Sequence, residues 1–157
     1  MKLRYLVVLG CVLLLFVIGF FREFVFENIN LHMTHLSQND GIANLPGPLI
    51  LLKSFSYNQL YYMKFGLVVL FAALYFGFTF LGLSSYYGSY KYLNIILIFF
   101  GGIFTLSFVI FIIGKITGKG AEAYSISRYL IEFIQSPLSL FILIPATKLL
   151  NEEKTKP

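Results

Sequence analysis

Hydrophobic positions fall into four long blocks, each closed off by isolated charges rather than by polar stretches. Tyr5 to Phe21 is uncharged between Arg4 and Arg22, Phe65 to Tyr90 between Lys64 and Lys91, and Tyr92 to Gly114 runs up to Lys115. The last block, Tyr129 to Thr147, lies between Arg128 and Lys148 and is broken only by Glu132. A helix of roughly 20 apolar residues crosses a hydrocarbon core of about 30 Å. The pattern therefore predicts an all-α integral membrane bundle of four transmembrane helices, over about residues 5–21, 65–83, 93–113 and 129–149, in one membrane domain covering 1–157. The Ser84 to Tyr92 link is short enough to make the second and third spans an antiparallel hairpin.

Residues 22–64 form the one long stretch outside these blocks. Glu23, Glu27, Asn30 and Thr34 recur at helical spacing, with Phe21, Phe24, Val25 and Ile29 on the other side, which predicts that the first helix continues as an amphipathic segment. Gln38-Asn39-Asp40-Gly41 and Pro46-Gly47-Pro48 are turn signals. Leu49 to Leu52 is too short to span and is expected at the interface or as a re-entrant piece. Ser56-Tyr57-Asn58-Gln59 has the form of a capping box, placing the start of the second helix near Tyr57. Folded back, this loop is expected to cap one mouth of the bundle.

Composition sharpens the reading. Of 157 residues 58% are hydrophobic and only 12% charged, against about 25% charged in a soluble domain, and the mean hydropathy is +0.81. The formal charge of +5 does not mark a nucleic-acid binder, because the basic residues stand one or two at a time at block edges, where lysine and arginine meet headgroups. Tyr57, Tyr61, Tyr62, Tyr86, Tyr87, Tyr90 and Tyr92 supply interfacial belts. Cys11 is the sole cysteine, so neither an internal disulfide nor a CxxC pair exists. Val8-Leu9-Gly10-Cys11 loosely matches a lipoprotein signal, but the apolar stretch ahead of it is too short and the run continues past the cysteine. Lys2 and Arg4 before the first block, with no small-x-small cleavage site after it, predict an uncleaved anchor with both chain ends on the cytoplasmic side. The charge bias of the loops does not decide orientation. Lys2, Arg4, Lys91, Lys148, Lys154 and Lys156 would lie inside and Arg22, Lys53, Lys64, Lys115, Lys119 and Arg128 outside, six against six.

Few residues carry candidate chemistry, and no catalytic set or cofactor signature stands out. His32 and His35 are three apart, a spacing that lets two imidazoles share a helical face and hold a metal, although a zinc site needs three or four protein ligands. Interfacial polar residues on an amphipathic helix account for the pair equally well. Arg128 and Glu132 form an i,i+4 ion pair within about 6 Å of the fourth span's start, where snorkelling keeps a charge wet. Glu132, Gln135 and Ser136 share a face one turn on, beside a kink expected at Pro137. They make Arg128, Glu132, Gln135 and Ser136 the candidate ligand pocket. Ala73-x-x-x-Gly77 and Gly101-Gly102 read as places of close helix approach.

Three stretches taken together, Phe21-Arg22-Glu23-Phe24-Val25-Phe26, Ser56 to Lys64, and Ser127-Arg128-Tyr129 through Gln135-Ser136-Pro137 to Ile144-Pro145-Ala146, resemble the small polytopic membrane proteins that accompany exosortases in Bacteroidetes-type bacteria. That resemblance implies a multi-pass protein of the bacterial inner membrane, an accessory of the sorting machinery, with no established catalytic residues to carry over. The partners expected are the bilayer and a larger polytopic membrane protein, with homo-oligomerisation open. The competing readings are a small transporter or lipid-binding bundle using Glu132, Gln135 and Ser136, and a metal-dependent membrane hydrolase using His32 and His35.

Overall fold

The apolar blocks become five α-helices in a computed structural model, which describes residues 2–38 and 43–154. They are α1 (Lys2–Gln38), α2 (Tyr57–Tyr87), α3 (Leu93–Ile116), α4 (Gly120–Ile134) and α5 (Leu138–Lys154). Short 3-10 segments cover Gly47–Ser54 and Tyr90–Tyr92, and there is no strand among the described residues. The turn expected at Asn39-Asp40-Gly41 lies outside the described residues, as does Lys156 of the basic tail. Three helical stretches, Leu3–Gln38, Tyr57–Tyr87 and Tyr90–Ile116, are long and apolar enough to cross a membrane. A fourth crossing is available if α4 and α5, bent by 68° at their junction, count as one broken span. The described residues thus form a helical protein with three or four helices of the length and apolarity to cross a membrane, as a multi-pass membrane protein would have. It forms two compact units, one from Val17–Phe71 and one from the described residues up to Phe16 and from Ala72 onward.

In the first of these, 17–71, the helix begun in the apolar block does not stop at Arg22. It runs on to Gln38, because Val25, Ile29 and Met33 recur every fourth residue and pack with Leu60 of α2. The Leu49 to Leu52 piece is the 3-10 segment, and its Leu49 and Leu52 pack against that same cluster alongside Leu36, Met63 and Leu67. Ser56 and Gln59 form the capping box: the Ser56 N–H donates to Gln59 Oε1 at 2.8 Å, the Gln59 N–H to Ser56 Oγ at 3.5 Å, and α2 begins at Tyr57. Lys64 Nζ donates to Asn30 Oδ1 at 2.6 Å, tying α2 to α1.

The second unit is stitched by hydroxyls on the inward side of α2. Tyr75, fully buried, donates to Leu15 O at 3.0 Å, and Thr79 Oγ1 meets Ser139 Oγ at 3.4 Å. Tyr87 donates to Ile144 O at 2.7 Å and accepts from Thr147 at 3.1 Å. Where water is absent each such bond removes the alternative of an unsatisfied polar group. Gly82 lets α1 and α5 close on α2, since a Cβ there would lie 3.1 Å from Leu140 and 3.5 Å from Cys11. The α2–α3 hairpin turns through Gly88 at φ 66° and Ser89, whose side chain accepts from the Lys91 N–H at 3.4 Å. Phe76 against Phe100 and Tyr87 against Tyr92, with centroids 5.5 and 4.5 Å apart, fix its antiparallel register. A Cβ at Gly88 would also come 2.8 Å from Arg4 Nη1. Gly88→Ala is expected to cost about 1–2 kcal/mol, mostly from the left-handed backbone since the arginine can give way. A thermal denaturation series in detergent against wild type measures it.

Three expectations change on contact with the structure. The fourth block does not begin at Tyr129: its helix begins at Gly120, and Arg128 and Glu132 sit inside it. The charges interrupt the hydropathy signal while Ala123, Ser127 and Ile134 carry the buried face straight through. At Gln135-Ser136-Pro137 the helix breaks rather than kinks, because Pro137, lacking an N–H, opens the first turn of α5 and accepts there from the Leu140 N–H at 3.1 Å. The close approach also falls elsewhere than expected. Nothing lies within 4 Å of a Cβ built at Gly77, Gly101 or Gly102.

Candidate functional site

The most amphipathic helix of the chain is α4, and its inner face explains why. Ala123 rests directly on Gly114 of α3, where a Cβ would overlap the Ala123 Cβ and lie 3.2 Å from Lys119 O. One turn further the serines exchange bonds: Ser107 Oγ donates to Ser127 O at 3.0 Å and Ser127 Oγ to Ser107 O at 2.8 Å, both buried. Phe133 meets Phe99 with centroids 6.3 Å apart. Small residues and paired hydroxyls are how helices associate where no water drives them together.

Glu122, Ser125, Arg128 and Glu132 recur at intervals of three and four on the outer side, forming one polar stripe. Arg128 Nε donates to Glu132 Oε1 at 2.8 Å, with side-chain exposures of 57% and 29%. Tyr124, Ser125, Arg128 and Tyr129 line a surface hollow of 160 Å³ beside the pair. The level of this stripe is set by the serine exchange. Ser107 stands about 21 Å from the Leu93 end of α3 and about 14 Å from the Ile116 end at 1.5 Å per residue. Arg128 follows Ser127 directly, so the ion pair is level with the middle reach of α3.

The four pocket residues named from sequence fall on α4 and the break that follows it. Arg128 and Glu132 meet each other. Gln135 is buried at the end of α4, its N–H donating to Ile131 O at 3.0 Å, and Ser136 spends its hydroxyl on Phe133 O at 2.6 Å. The hollow lies on the Arg128 side instead, and Tyr124, Ser125 and Tyr129 were not singled out. The signal that locates them is the spacing of Glu122, Ser125, Arg128 and Glu132, legible once the helix is started after Gly118, whose φ of 75° ends α3.

His32 and His35 lie on α1 within the 17–71 unit, remote in sequence from α4. His32 is fully buried, and neither Nδ1 nor Nε2 has a hydrogen-bond partner; His35 Nδ1 is likewise buried and unpartnered. No group of three or more His, Cys, Asp or Glu gathers among the described residues. Comparison of the chain with protein-family models, with curated proteins and with solved structures returned no match.

Proposed function

We propose that this chain is a non-catalytic accessory or assembly subunit of a larger polytopic membrane enzyme, of the kind found in exosortase-type protein sorting. The observation that carries the reading is the outward polar stripe of α4. In a bilayer an arginine–glutamate pair at that level faces hydrocarbon, where an unaccompanied charge costs several kcal/mol. A transmembrane helix of the partner, bringing polar or charged groups of its own, would cover it. A second copy suits the stripe less well, because two copies related by an axis along the membrane normal set Arg128 opposite Arg128.

The finer topology belongs to the same proposal. α4 and α5 together make the fourth crossing, both chain ends lie in the cytoplasm, residues 22–64 are extracytoplasmic, and the membrane is the bacterial inner membrane. Supporting the shared side of the two ends, Arg4 abuts the Gly88 turn, and Tyr87 from that same turn bonds Ile144 and Thr147. The resemblance of the Phe21 to Phe26, Ser56 to Lys64 and Ser127 to Ala146 stretches to exosortase companions points to the class of enzyme. A transporter or lipid-binding pocket at Glu132, Gln135 and Ser136 draws less support, since Ser136 is already bonded to its own helix.

Crosslinking from native membranes with the tagged chain as bait tests the reading. Recovery of a single polytopic enzyme at about one copy per bait is the expected result. Recovery of the bait alone, or of bait oligomers alone, rejects it.

A further inference from the structure

We infer that the 17–71 unit holds a transition-metal site in which the imidazoles of His32 and His35 are the protein ligands. These are the only histidines in the chain. Three residues apart on a helix, their Cβ atoms stand about 5–6 Å from each other on one side of α1, close enough for one ion to reach a nitrogen of each ring at about 2.0–2.1 Å.

The case rests on what those rings lack. His32 is 0% exposed with both nitrogens unpartnered, and His35 Nδ1 is buried and unpartnered one turn away. Buried polar side chains nearly always have a partner, and a neutral imidazole needs both a place for its N–H and a use for its lone pair. Three such atoms on successive turns of one helix are three departures in one place. An ion that takes one lone pair from each ring gives a partner to one His32 nitrogen and to His35 Nδ1, and leaves the second His32 nitrogen, which carries the N–H, as it is. The lone pair of each ring goes to the ion, and no other bond changes.

Donor type narrows the ion. Two neutral nitrogens with no third His, Cys, Asp or Glu gathered among the described residues exclude calcium and magnesium, which demand oxygen. Zinc and copper accept imidazole readily. Zinc would complete its tetrahedron with ligands from outside the protein, whereas monovalent copper is satisfied by fewer. Met33 and Met63, in the apolar cluster of the same unit, are soft sulfur donors of the sort that favour copper. The site is independent of the accessory reading, since it needs no partner protein.

The test uses the full chain purified in detergent, stripped with chelator, and equilibrated separately with Zn²⁺ and with Cu⁺ under reducing conditions. Bound metal is measured after dialysis and the thermal transition is recorded with and without it. Expected is about one ion per chain from one of the two, with a raised transition, and an affinity loss of at least about tenfold in His35→Ala and in His32→Leu, by analogy with the cost of disturbing metal-site neighbours. His35 is only partly buried, so His35→Ala keeps the test open if His32→Leu fails to fold, and helicity by circular dichroism reports which has happened. Metal near zero with both ions, or wild-type affinity in the folded His35→Ala chain, overturns the inference. Equal uptake by the double variant would likewise overturn it, as an adventitious ion only.

Discussion

Gly114→Ala is expected to open the α3–α4 hairpin and destabilise the protein by about 2–4 kcal/mol, the largest effect expected among changes of Gly88, Gly101, Gly102 and Gly114 to alanine. Overpacking a tight contact costs about 1–3 kcal/mol by itself. Here the added Cβ would coincide with that of Ala123, with Lys119 O 3.2 Å away. Neither neighbour is the far end of a flexible side chain, so the helices themselves must part. Parting them stretches both buried serine bonds, at 3.0 and 2.8 Å, each worth about 0.6–2 kcal/mol between membrane helices. Gly101→Ala and Gly102→Ala are the controls. With nothing within 4 Å of either, alanine there should be neutral or stabilising by up to about 1 kcal/mol through helix propensity. Ala123→Gly placed in the Gly114→Ala background should recover most of the loss. Unfolding of the detergent-solubilised chain in sodium dodecyl sulfate ranks all four. Equal behaviour of Gly114→Ala and Gly101→Ala would mean that α3 and α4 do not touch at Gly114.

The second large effect separates a wet surface from a lipid-facing one. Glu132→Leu leaves Arg128 alone on the outer face of α4. If that face lies in hydrocarbon, the lone guanidinium costs about 2.5–3.5 kcal/mol, whereas an exposed i,i+4 pair in water contributes at most about 1 kcal/mol. The expected result is the higher figure for Glu132→Leu, and its disappearance in Arg128→Leu/Glu132→Leu, which carries no charge at either position. The double variant should be at least as stable as wild type, since removing both members of a costly ion pair is often neutral or favourable. It should nonetheless lose the partner in a pull-down by at least about tenfold, equivalent to about 1.4 kcal/mol of binding. Stability retained with partner lost is the signature of a face kept polar for recognition. A coupling energy below about 1 kcal/mol between the two positions would place the stripe in water and remove the main support for an accessory role.

How far the amino-acid sequence could be read depended on which physical signal each element used. The apolar blocks announce α2 and α3 because each is apolar on nearly every side, so averaging over a window loses nothing. The start of α2 was legible to the residue, since Ser56 and Gln59 close a local ring of bonds that needs no tertiary knowledge. The start of α4 was not. Its signal is a narrow buried face of Ala123, Ser127 and Ile134, and window averages hide that face behind Glu122, Arg128 and Glu132. The glycines failed for a related reason. Spacing shows where a backbone could be approached, but only the partner's own small residue shows where it is, and Gly114 matters because Ala123 faces it. His32 was visible as a histidine, yet nothing local says that both of its nitrogens end up enclosed without partners.

The serine exchange has a consequence for how the protein is made. With Glu122, Arg128 and Glu132 in fifteen residues, α4 is a poor substrate for entering a bilayer alone, each such charge near a helix centre adding about 2.5–3.5 kcal/mol. Its inner face is complementary to a helix that has already been synthesised. The order of events then follows from the order of the chain. α3 must be in place, and held by its turn with α2, before α4 has anywhere to go, and the two serines that bond across the pair set the register in which it arrives. A ribosome stalled before Ser127 has emerged should therefore leave α4 outside the membrane, and release of a few further residues should draw it in.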